Sequence, residues 1–562
     1  MPGCPQPALV AFRLPDRTRV LWADALCIDQ RNNDEKSGQL LLMPRIYSQA
    51  GKVLIWLGPE DGDLDGVDDT IRRALDFLPD RTYDIAELGP QSQAVHYDMM
   101  KRHREGLPSL LSHDWQPLVH LLRRPWFCRK WVVQETSLAR EAVIFAGCFE
   151  IPWNDLGYLL LMLESISVIQ TALLLQENHE DDKGEGPAKV NALRGISDMI
   201  RPMHNTSIIS AIKLYREHAV LFDCVVATST FFCTDDRDHV YALMSLPKRR
   251  LPLVPDYSID AGEVFRRFAE LEMVETNSLK LLGLAPDKLS FSRASSNRLN
   301  IPTWVPDPRR LGEVDTLVSY NVKEQIFHAG GFSKPIFSIS ECRKILECRG
   351  RYFDTVKAVA KTYLEPLLAD QPESRSLPIG QIPVHESLEA AAKHIGRWAV
   401  NCHELAGTPL EAVPFDLERS RAFSRTMVCG MVGMRDPLST ETVDAFPHLM
   451  RRLAASADGI SWTATTHQPD LHRFIVSLES SLQATAIVRR FCVTETGRFG
   501  QLPFDAEIGD HLWVLTGAEV PFVVRPQGGG KYRLIGECYV DGVMNGEVLE
   551  AREYTTQEIQ IE

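Results

Sequence analysis

The sequence predicts an α/β domain with a parallel sheet, then a mainly helical region, and then a small C-terminal antiparallel β module. The first indication is Val20–Ile28, an apolar run that carries Asp24 and is typical of a buried strand. Helical spacing follows at Leu40, Met43, Ile46 and Tyr47, and a second apolar run occupies Val53–Leu57. This strand-helix-strand order predicts the parallel sheet.

The second indication lies near the C-terminus, where the helical pattern ends and short apolar runs alternate with glycines. The predicted strands are Arg490–Glu495, His511–Leu515, Phe522–Arg525 and Tyr532–Val540. Gly528–Gly530 is interpreted as a hairpin turn, because it lacks the Lys-Ser/Thr pair of a phosphate-binding loop. A small antiparallel sheet or partly closed barrel is therefore expected.

The length of 562 residues exceeds what one hydrophobic core supports, and the 44% hydrophobic content is that of a folded protein. A helix over Trp126–Leu138 and a hairpin of Ala142–Ala146 with Phe149–Trp153 complete the first predicted domain. Four segments are predicted: an α/β domain at 1–155, a helical extension at 156–320, a mixed, mainly helical region at 321–487, and the β module at 488–562.

Charge and cysteine usage exclude several classes of protein. The net charge of -14, without a long basic cluster, argues against a nucleic-acid surface. The 12 cysteines lack paired close spacing, so no metal site is predicted, and the absence of a secretory signal predicts a cytoplasmic protein with free thiols. Polar residues interrupt Leu156–Leu175, which therefore predicts a buried helix and no membrane span.

Several blocks, in the same order along the chain, resemble the fungal heterokaryon incompatibility (HET) domain. They are Trp22–Gln30 (Trp-Ala-Asp-Ala-Leu-Cys-Ile-Asp-Gln), Arg124–Glu135, Thr234–Leu243, Pro255–Tyr257 and Pro302–Pro306. The resemblance implies a fold similar to TIR domains, which is a flavodoxin-like parallel sheet. It also implies a role in non-self recognition that leads to growth arrest or death of fused cells, with self-association through this domain and an allelic or non-allelic partner protein.

Some TIR domains cleave the nicotinamide bond of NAD, and their catalytic glutamate follows a tryptophan on a short helix. Trp131-Val-Val-Gln-Glu135 is similar to that element, which makes Glu135 the candidate catalytic acid and NAD a candidate substrate, with no tightly bound cofactor expected. A carboxylate suits this chemistry because it stabilises the oxocarbenium-like cation that forms as the bond breaks. The alternative is a solvated Glu135, or one that pairs loosely with Lys130 or Arg140.

Seven further residues are candidates for holding NAD: Asp24, Asp29, Gln30, Arg124, Trp126, Arg129 and Trp131. An acid within a buried strand needs a partner, so Asp24 either faces a ligand crevice or ties down a neighbouring loop, whereas Asp29 and Gln30 follow the strand end.

The arginines and tryptophans of this set have alternative roles. The two arginines match phosphate oxygens or pair with surface acids. The two tryptophans stack on a base or anchor the core. In Thr234–Asp238 a hydroxyl or carboxylate is expected to cap a following helix, and Arg237 to link the helical region to the first domain.

One block departs from the family pattern. The family's first strand, which resembles Ala-Leu-Ser-Tyr-x-Trp-Gly, has no counterpart, and 8–13 are similar only to the end of the helix that follows it. The sheet is thus expected to lack its first strand, through either a truncated gene model or decay to a non-catalytic protein. Three functions stay open: an NAD-cleaving enzyme, a non-catalytic self-assembling interaction module, and a scaffold recruited to another pathway such as a biosynthetic cluster.

Overall fold

The computed structural model describes residues 6–59, 63–77, 115–163, 201–214, 216–217, 219–284, 299–311, 317, 326–362, 388–407, 417–432, 436–437, 443 and 489–562. The chain divides into two compact units, 1–260 and 261–562. It is a mixed α/β protein with helices in the middle of the chain and a mainly antiparallel sheet towards the C-terminus. The four-segment division stays a prediction.

The first unit combines short helices with a small sheet. Its labelled elements are α1 (Gln6–Ala11), α2 (Asp24–Cys27), α3 (Asn33–Gln49), β1 (Val53–Gly58), α4 (Val67–Phe77), α5 (Gln116–Leu122), α6 (Trp131–Ser137), β2 (Ala142–Ala146), β3 (Phe149–Pro152), α7 (Leu221–Ala227) and α8 (Asp238–Tyr241). Residues 153–163 and 201–214 are also helical.

The sheet of the first unit confirms the strands predicted at Val53–Leu57, Ala142–Ala146 and Phe149–Trp153. Strand β1 pairs in parallel with β2, with Ile55 opposite Ile144, and β2 pairs antiparallel with β3. Helix α3 precedes β1 and is capped by Asn32, whose side-chain oxygen accepts the N–H groups of Asp34 and Glu35. This cap satisfies donors that have no partner inside the helix.

The strand predicted at Val20–Ile28 is wrong. The chain is extended before Asp24 and then forms α2, where the carbonyl of Ala23 accepts hydrogen bonds from two following N–H groups. The apolar side chains are not buried as a strand would require, since Val20 is 94% and Leu26 is 54% exposed. A short apolar run does not distinguish a strand from another local structure.

The helix predicted over Trp126–Leu138 is two elements. Pro125–Cys128 is a 3-10 helix, and α6 begins only at Trp131. Between them the chain is extended at Arg129, which pairs with Phe232 as an isolated bridge. Of the predicted helix at Leu156–Leu175, the described part, 156–163, is helical, and its apolar side chains other than Leu161 are buried. Residues 164–175 lie outside the described residues.

The second unit is mostly a β structure with helices on it. Its labelled elements are α9 (Ala261–Thr276), β4 (Phe337–Ile339), β5 (Leu346–Val359), α10 (Leu388–Ala406), α11 (Leu417–Met427), β6 (Met431–Val432), β7 (Asp436–Pro437), β8 (Arg489–Thr494), β9 (Phe499–Pro503), β10 (His511–Leu515), β11 (Phe522–Gly528), β12 (Lys531–Glu537), β13 (Tyr539–Val540), α12 (Glu547–Glu550) and β14 (Gln557–Ile561).

These strands confirm the expected C-terminal antiparallel sheet and extend it. The order is β10-β11-β12-β14-β5-β8-β9-β13, and β10 also pairs with β5, which closes a ring of five strands. The pairing is antiparallel except between β12 and β14. The predicted hairpin at Gly528–Gly530 is confirmed, since all three glycines have positive φ and the turn joins β11 to β12.

Strand β5 shows that the β module is larger than predicted. It lies within the segment that was expected to be mainly helical, and it pairs with β4, β8, β10 and β14. The core inside this sheet joins Phe353 and Val356 of β5 to Leu512, Val523 and Ile535 of the later strands. No helix in the described part of the chain is long and apolar enough to cross a bilayer.

Candidate functional site

Glu135 lies in the middle of α6, with its side chain partly buried. Removal from water raises the pKa of its carboxyl to about 7, an effect that nearby Arg129 opposes and Asp24 increases. No hydrogen bond or ion pair to Glu135 forms among the described residues, so the expected alternative of a loose pair with Lys130 or Arg140 is absent there. A carboxyl that titrates near neutral pH without an ion-pair partner is a chemically available group.

Tyr47 of α3 is the residue of this site that sequence reasoning missed as a functional residue. Burial raises the pKa of its hydroxyl well above the ordinary value, the carboxylates of Glu135 and Asp24 raise it further, and Arg129 lowers it. Trp22 packs edge-on against the Tyr47 ring, with 5.8 Å between ring centroids. In the sequence, Tyr47 stands out only as one of the regularly spaced apolar residues of α3. Such spacing predicts that a side chain packs against the core, and it does not indicate a functional role.

Helices α3 and α6 pack against each other, and three of the predicted residues, Asp24, Arg129 and Glu135, all influence the pKa of Tyr47. We call these four residues the α3–α6 cluster. Two carboxyl groups and one guanidinium group in this arrangement offer anionic, cationic and hydrogen-bonding contacts to a polar ligand. Asp24 reaches the cluster from the N-terminus of α2, where its side chain accepts the N–H of Ala25, and not from a buried strand.

Arg124 immediately precedes the 3-10 helix, and Trp126 lies within it. Arg124 is partly buried next to the carboxyl end of β1, and a Cβ built on Gly58 would lie 3.6 Å from its Nη1 atom. Trp126 is buried, and its ring packs edge-on against Phe127 and Trp153 at 5.3 and 5.8 Å. These contacts are those of a tryptophan that anchors the core, which was the alternative role. Stacking of Trp126 on a base of NAD stays a prediction.

Asp29 and Gln30 are exposed and form local hydrogen bonds in the turn before α3. The Asp29 carboxylate accepts the N–H of Arg31 at 3.0 Å, and the Gln30 amide donates to the carbonyl oxygen of Asp24 at 3.1 Å. These contacts stabilise the turn that follows α2. The proposed contact of either side chain with NAD stays a prediction.

Trp131 begins α6 and bonds to Asp238, the first residue of α8. Its indole N–H donates to Oδ2 of Asp238 at 2.9 Å, and the hydroxyl of Tyr257 donates to Oδ1 of the same carboxylate. Arg237 forms an ion pair with Asp235 at 2.8 Å and donates to the carbonyl oxygen of Tyr257. The side-chain cap predicted for the helix after Thr234–Asp238 does not form at the α8 N-cap residue, Arg237. The Arg237 side chain bonds instead to Asp235 and to the carbonyl oxygens of Tyr257 and Ile259.

Lys130 precedes α6 and is fully buried, and its Nζ atom donates to the carbonyl oxygen of Thr228 at 2.6 Å. Burial lowers the pKa of this ammonium to about 7, while Cys233 and Cys224 act in the opposite direction. The folded protein therefore binds fewer protons at Lys130 than the unfolded chain between pH 7 and 10.5, and it is destabilised as the pH falls through this range.

Lys130→Met is expected to raise the free energy of unfolding by about 1–2 kcal/mol at pH 7, because the gain from removing a buried charge exceeds the loss of one hydrogen bond. The gain in stability should shrink towards pH 10, because removing the proton from the unfolded lysine costs less as the pH approaches 10.5. Urea unfolding at both pH values measures the difference, with exposed Lys52→Met as the control. A gain that is equal at both pH values would contradict this assignment.

Two families of known proteins match parts of this chain. Residues 4–135 match the heterokaryon incompatibility protein (HET) family, and residues 460–557 match the Het-6 beta-barrel domain family. The first match ends at Glu135, and the second covers β8 to β13 and the start of β14. Together these matches support a protein of the heterokaryon incompatibility type.

A particular relative supports the same class. The chain is 24% identical, over an alignment of 590 positions, to heterokaryon incompatibility protein 6, OR allele, of Neurospora crassa. The alignment covers 95% of this chain and 82% of the relative, so the likeness extends across both units. No solved structure matches the chain at a significant level.

Proposed function

We propose that this protein acts in non-self recognition in a fungus, and that its first unit cleaves NAD when it triggers growth arrest or death of fused cells. The HET-family match and the Neurospora relative support the biological role. The proposed architecture is TIR-like, and the parallel pairing of β1 with β2 supports it. The cytoplasm is the proposed compartment, and an allelic or non-allelic incompatibility protein is the proposed partner.

The main support for the proposed NAD cleavage is the raised pKa of the Glu135 carboxyl within the α3–α6 cluster. Its pKa of about 7 leaves a substantial fraction of the carboxyl ionised at neutral pH. In the proposed reaction this carboxylate stabilises the positive charge that develops on the ribose as nicotinamide leaves. Arg129 and Arg124 are proposed to meet the phosphates, and Trp131, Asp24, Asp29 and Gln30 to contact the remainder of NAD.

The test is nicotinamide release from NAD by the purified full chain at a concentration that permits assembly. Wild-type protein is expected to release nicotinamide faster at pH 8 than at pH 6, because Glu135 must be ionised, and Glu135→Gln is expected to release none above background. Glu141→Gln is the matched control, since Glu141 is exposed and pairs only with Lys52 among the described residues. Equal release by wild type and Glu135→Gln would reject Glu135 as the catalytic acid.

A non-catalytic self-assembling module is the second candidate function, and one feature of the first unit favours it. Large apolar side chains are exposed at Val20, Leu26, Leu41 and Leu42, and water contact with such groups is unfavourable. If the module acts by assembly alone, toxicity in fungal cells survives Glu135→Gln but is lost in Leu41→Glu/Leu42→Glu. The enzymatic proposal requires that toxicity is lost in Glu135→Gln while assembly, measured by light scattering, persists.

A further inference from the structure

Asp238 is a buried acid that joins two distant parts of the first unit. Its side chain is 5% exposed, and each carboxylate oxygen accepts one hydrogen bond, Oδ2 from the indole of Trp131 and Oδ1 from the hydroxyl of Tyr257. Such a carboxylate orients both of its donors, because moving either one would leave a charged oxygen without its partner in a site that excludes water.

Tyr257 extends this connection to α3. The Nζ atom of Lys36, in the first turns of α3, lies 3.6 Å from the centroid of the Tyr257 ring, which is the geometry of a cation–π contact. Lys36 also lies 4.0 Å from the carboxylate of Asp235. Arg237 holds the Tyr257 backbone by donating to its carbonyl oxygen and to that of Ile259. The Asp238–Tyr257 pair thus contacts both helices of the α3–α6 cluster.

The contacted residues share helix faces with the cluster residues. Trp131 and Glu135 are four positions apart on α6, and Lys36 and Tyr47 are 11 positions apart on α3, close to three full turns. A change in the orientation of Trp131 or Lys36 therefore changes the approach of Glu135 to Tyr47.

We propose that Asp238 and Tyr257 are positioning residues, which set α6 against α3 so that the Glu135 carboxyl is held beside Tyr47. The consequence for catalysis rests on the proposed function, whereas the consequence for the surroundings of Glu135 does not. Among the described residues, the charged and titratable groups that interact with Glu135 are Arg129, Asp24 and Tyr47, and the substitutions below leave all three in place.

The first measurement needs no enzymatic activity. Glu135→Gln is made in the wild-type protein and in each positioning variant. The difference in free energy of unfolding between each protein and its Glu135→Gln version, measured against pH, reports the pKa of the Glu135 carboxyl in that protein. In Tyr257→Phe, which keeps the ring but removes its donor to Asp238, the pKa is expected to move from about 7 towards 4.5, because a looser α6 exposes Glu135 to water. Tyr241→Phe is the matched control, since this buried hydroxyl bonds to the backbone of Asp256.

The second measurement uses nicotinamide release. Asp238→Ala and Tyr257→Phe are expected to lower kcat about 10–100-fold with KM changed less than about twofold, because misplacement of a reacting group lowers the rate strongly. Asp238→Asn is expected to stay within about threefold of wild type, since an amide can bond to both Trp131 and Tyr257. If Asp238→Asn lowers kcat as much as Asp238→Ala does, the negative charge of Asp238 is required, and its positioning of Trp131 and Tyr257 is not enough.

The two proposals fail in different ways. If wild-type protein releases no nicotinamide, the enzymatic function is rejected, and the pKa measurement still decides the positioning role. If Tyr257→Phe and Tyr241→Phe leave the pKa of Glu135 equally unchanged, the positioning role is overturned whatever the activity.

Discussion

Replacing Arg489 by methionine is expected to lower the free energy of unfolding of the second unit by about 3–5 kcal/mol, because it removes the buried cation that pairs with the Glu537 carboxylate. Arg489 on β8 forms an ion pair with Glu537 on β12 at 2.7 Å, with side-chain exposures of 3% and 0%. Glu537 also accepts the N–H of Leu317 at 2.6 Å. This one carboxylate therefore joins strands β8 and β12 and the backbone at Leu317.

Two further variants separate the buried charge from lost packing. Adding Glu537→Gln to Arg489→Met removes the charge but keeps an oxygen for the Leu317 N–H, so most of the lost stability should return. Arg349→Met is the matched control, because the pair of Arg349 with Glu558 is exposed and spans 3.5 Å, and such pairs contribute at most about 1 kcal/mol. Urea unfolding, with hydrogen exchange at β8 and β12, measures each change. Equal losses in Arg489→Met and Arg349→Met would contradict the prediction.

Glu135→Gln is expected to make the protein more stable above neutral pH, which is unusual for a substitution. The folded pKa of about 7 exceeds the ordinary value of 4.5, so the folded state binds more protons between these limits. Stability is therefore lost as the pH rises from about 4.5 to 7, and the full cost persists above that range. A shift of this size corresponds to about 3 kcal/mol, and partial exposure of the side chain reduces the expected value to about 2 kcal/mol.

The measurement compares wild type with Glu135→Gln in urea at pH 5 and pH 8. The variant should be more stable by about 2 kcal/mol at pH 8 and nearly equal at pH 5, since a glutamine has the charge of the protonated glutamate at every pH. Glu141→Gln should show no such gain, because Glu141 is exposed and ion-paired with Lys52. A variant less stable than wild type at pH 8 would show that the Glu135 carboxylate stabilises the fold.

The correct predictions concern elements whose signals lie within a few residues. The glycines at 528–530 predict the hairpin because positive φ at successive positions is accessible to glycine. The helical face of α3 and the apolar run of β1 are likewise local patterns, and both elements are present. The resemblance to the HET domain also came from short ordered blocks, and the family matches support it at both ends of the chain.

The failures concern segments whose structure depends on distant partners. Val20–Ile28 has the composition of a buried strand, but its apolar side chains find no sheet to cover them and Asp24 begins a short helix instead. Strand β5 was missed because its stabilising partners β8, β10 and β14 are more than 120 residues further along the chain. Pairing over such separations leaves little local signal.

Sequence alone thus indicated the heterokaryon incompatibility type of protein, the α/β character of the first unit and the antiparallel C-terminal sheet, and it singled out Glu135 as a candidate. Tertiary structure alone decided that Glu135 lies with Asp24, Arg129 and Tyr47, and that Asp238 holds Trp131. The physical reason is that side-chain identity and local periodicity are properties of neighbouring residues. Burial, and with it the pKa of a carboxyl, depends on which distant segments exclude water from it.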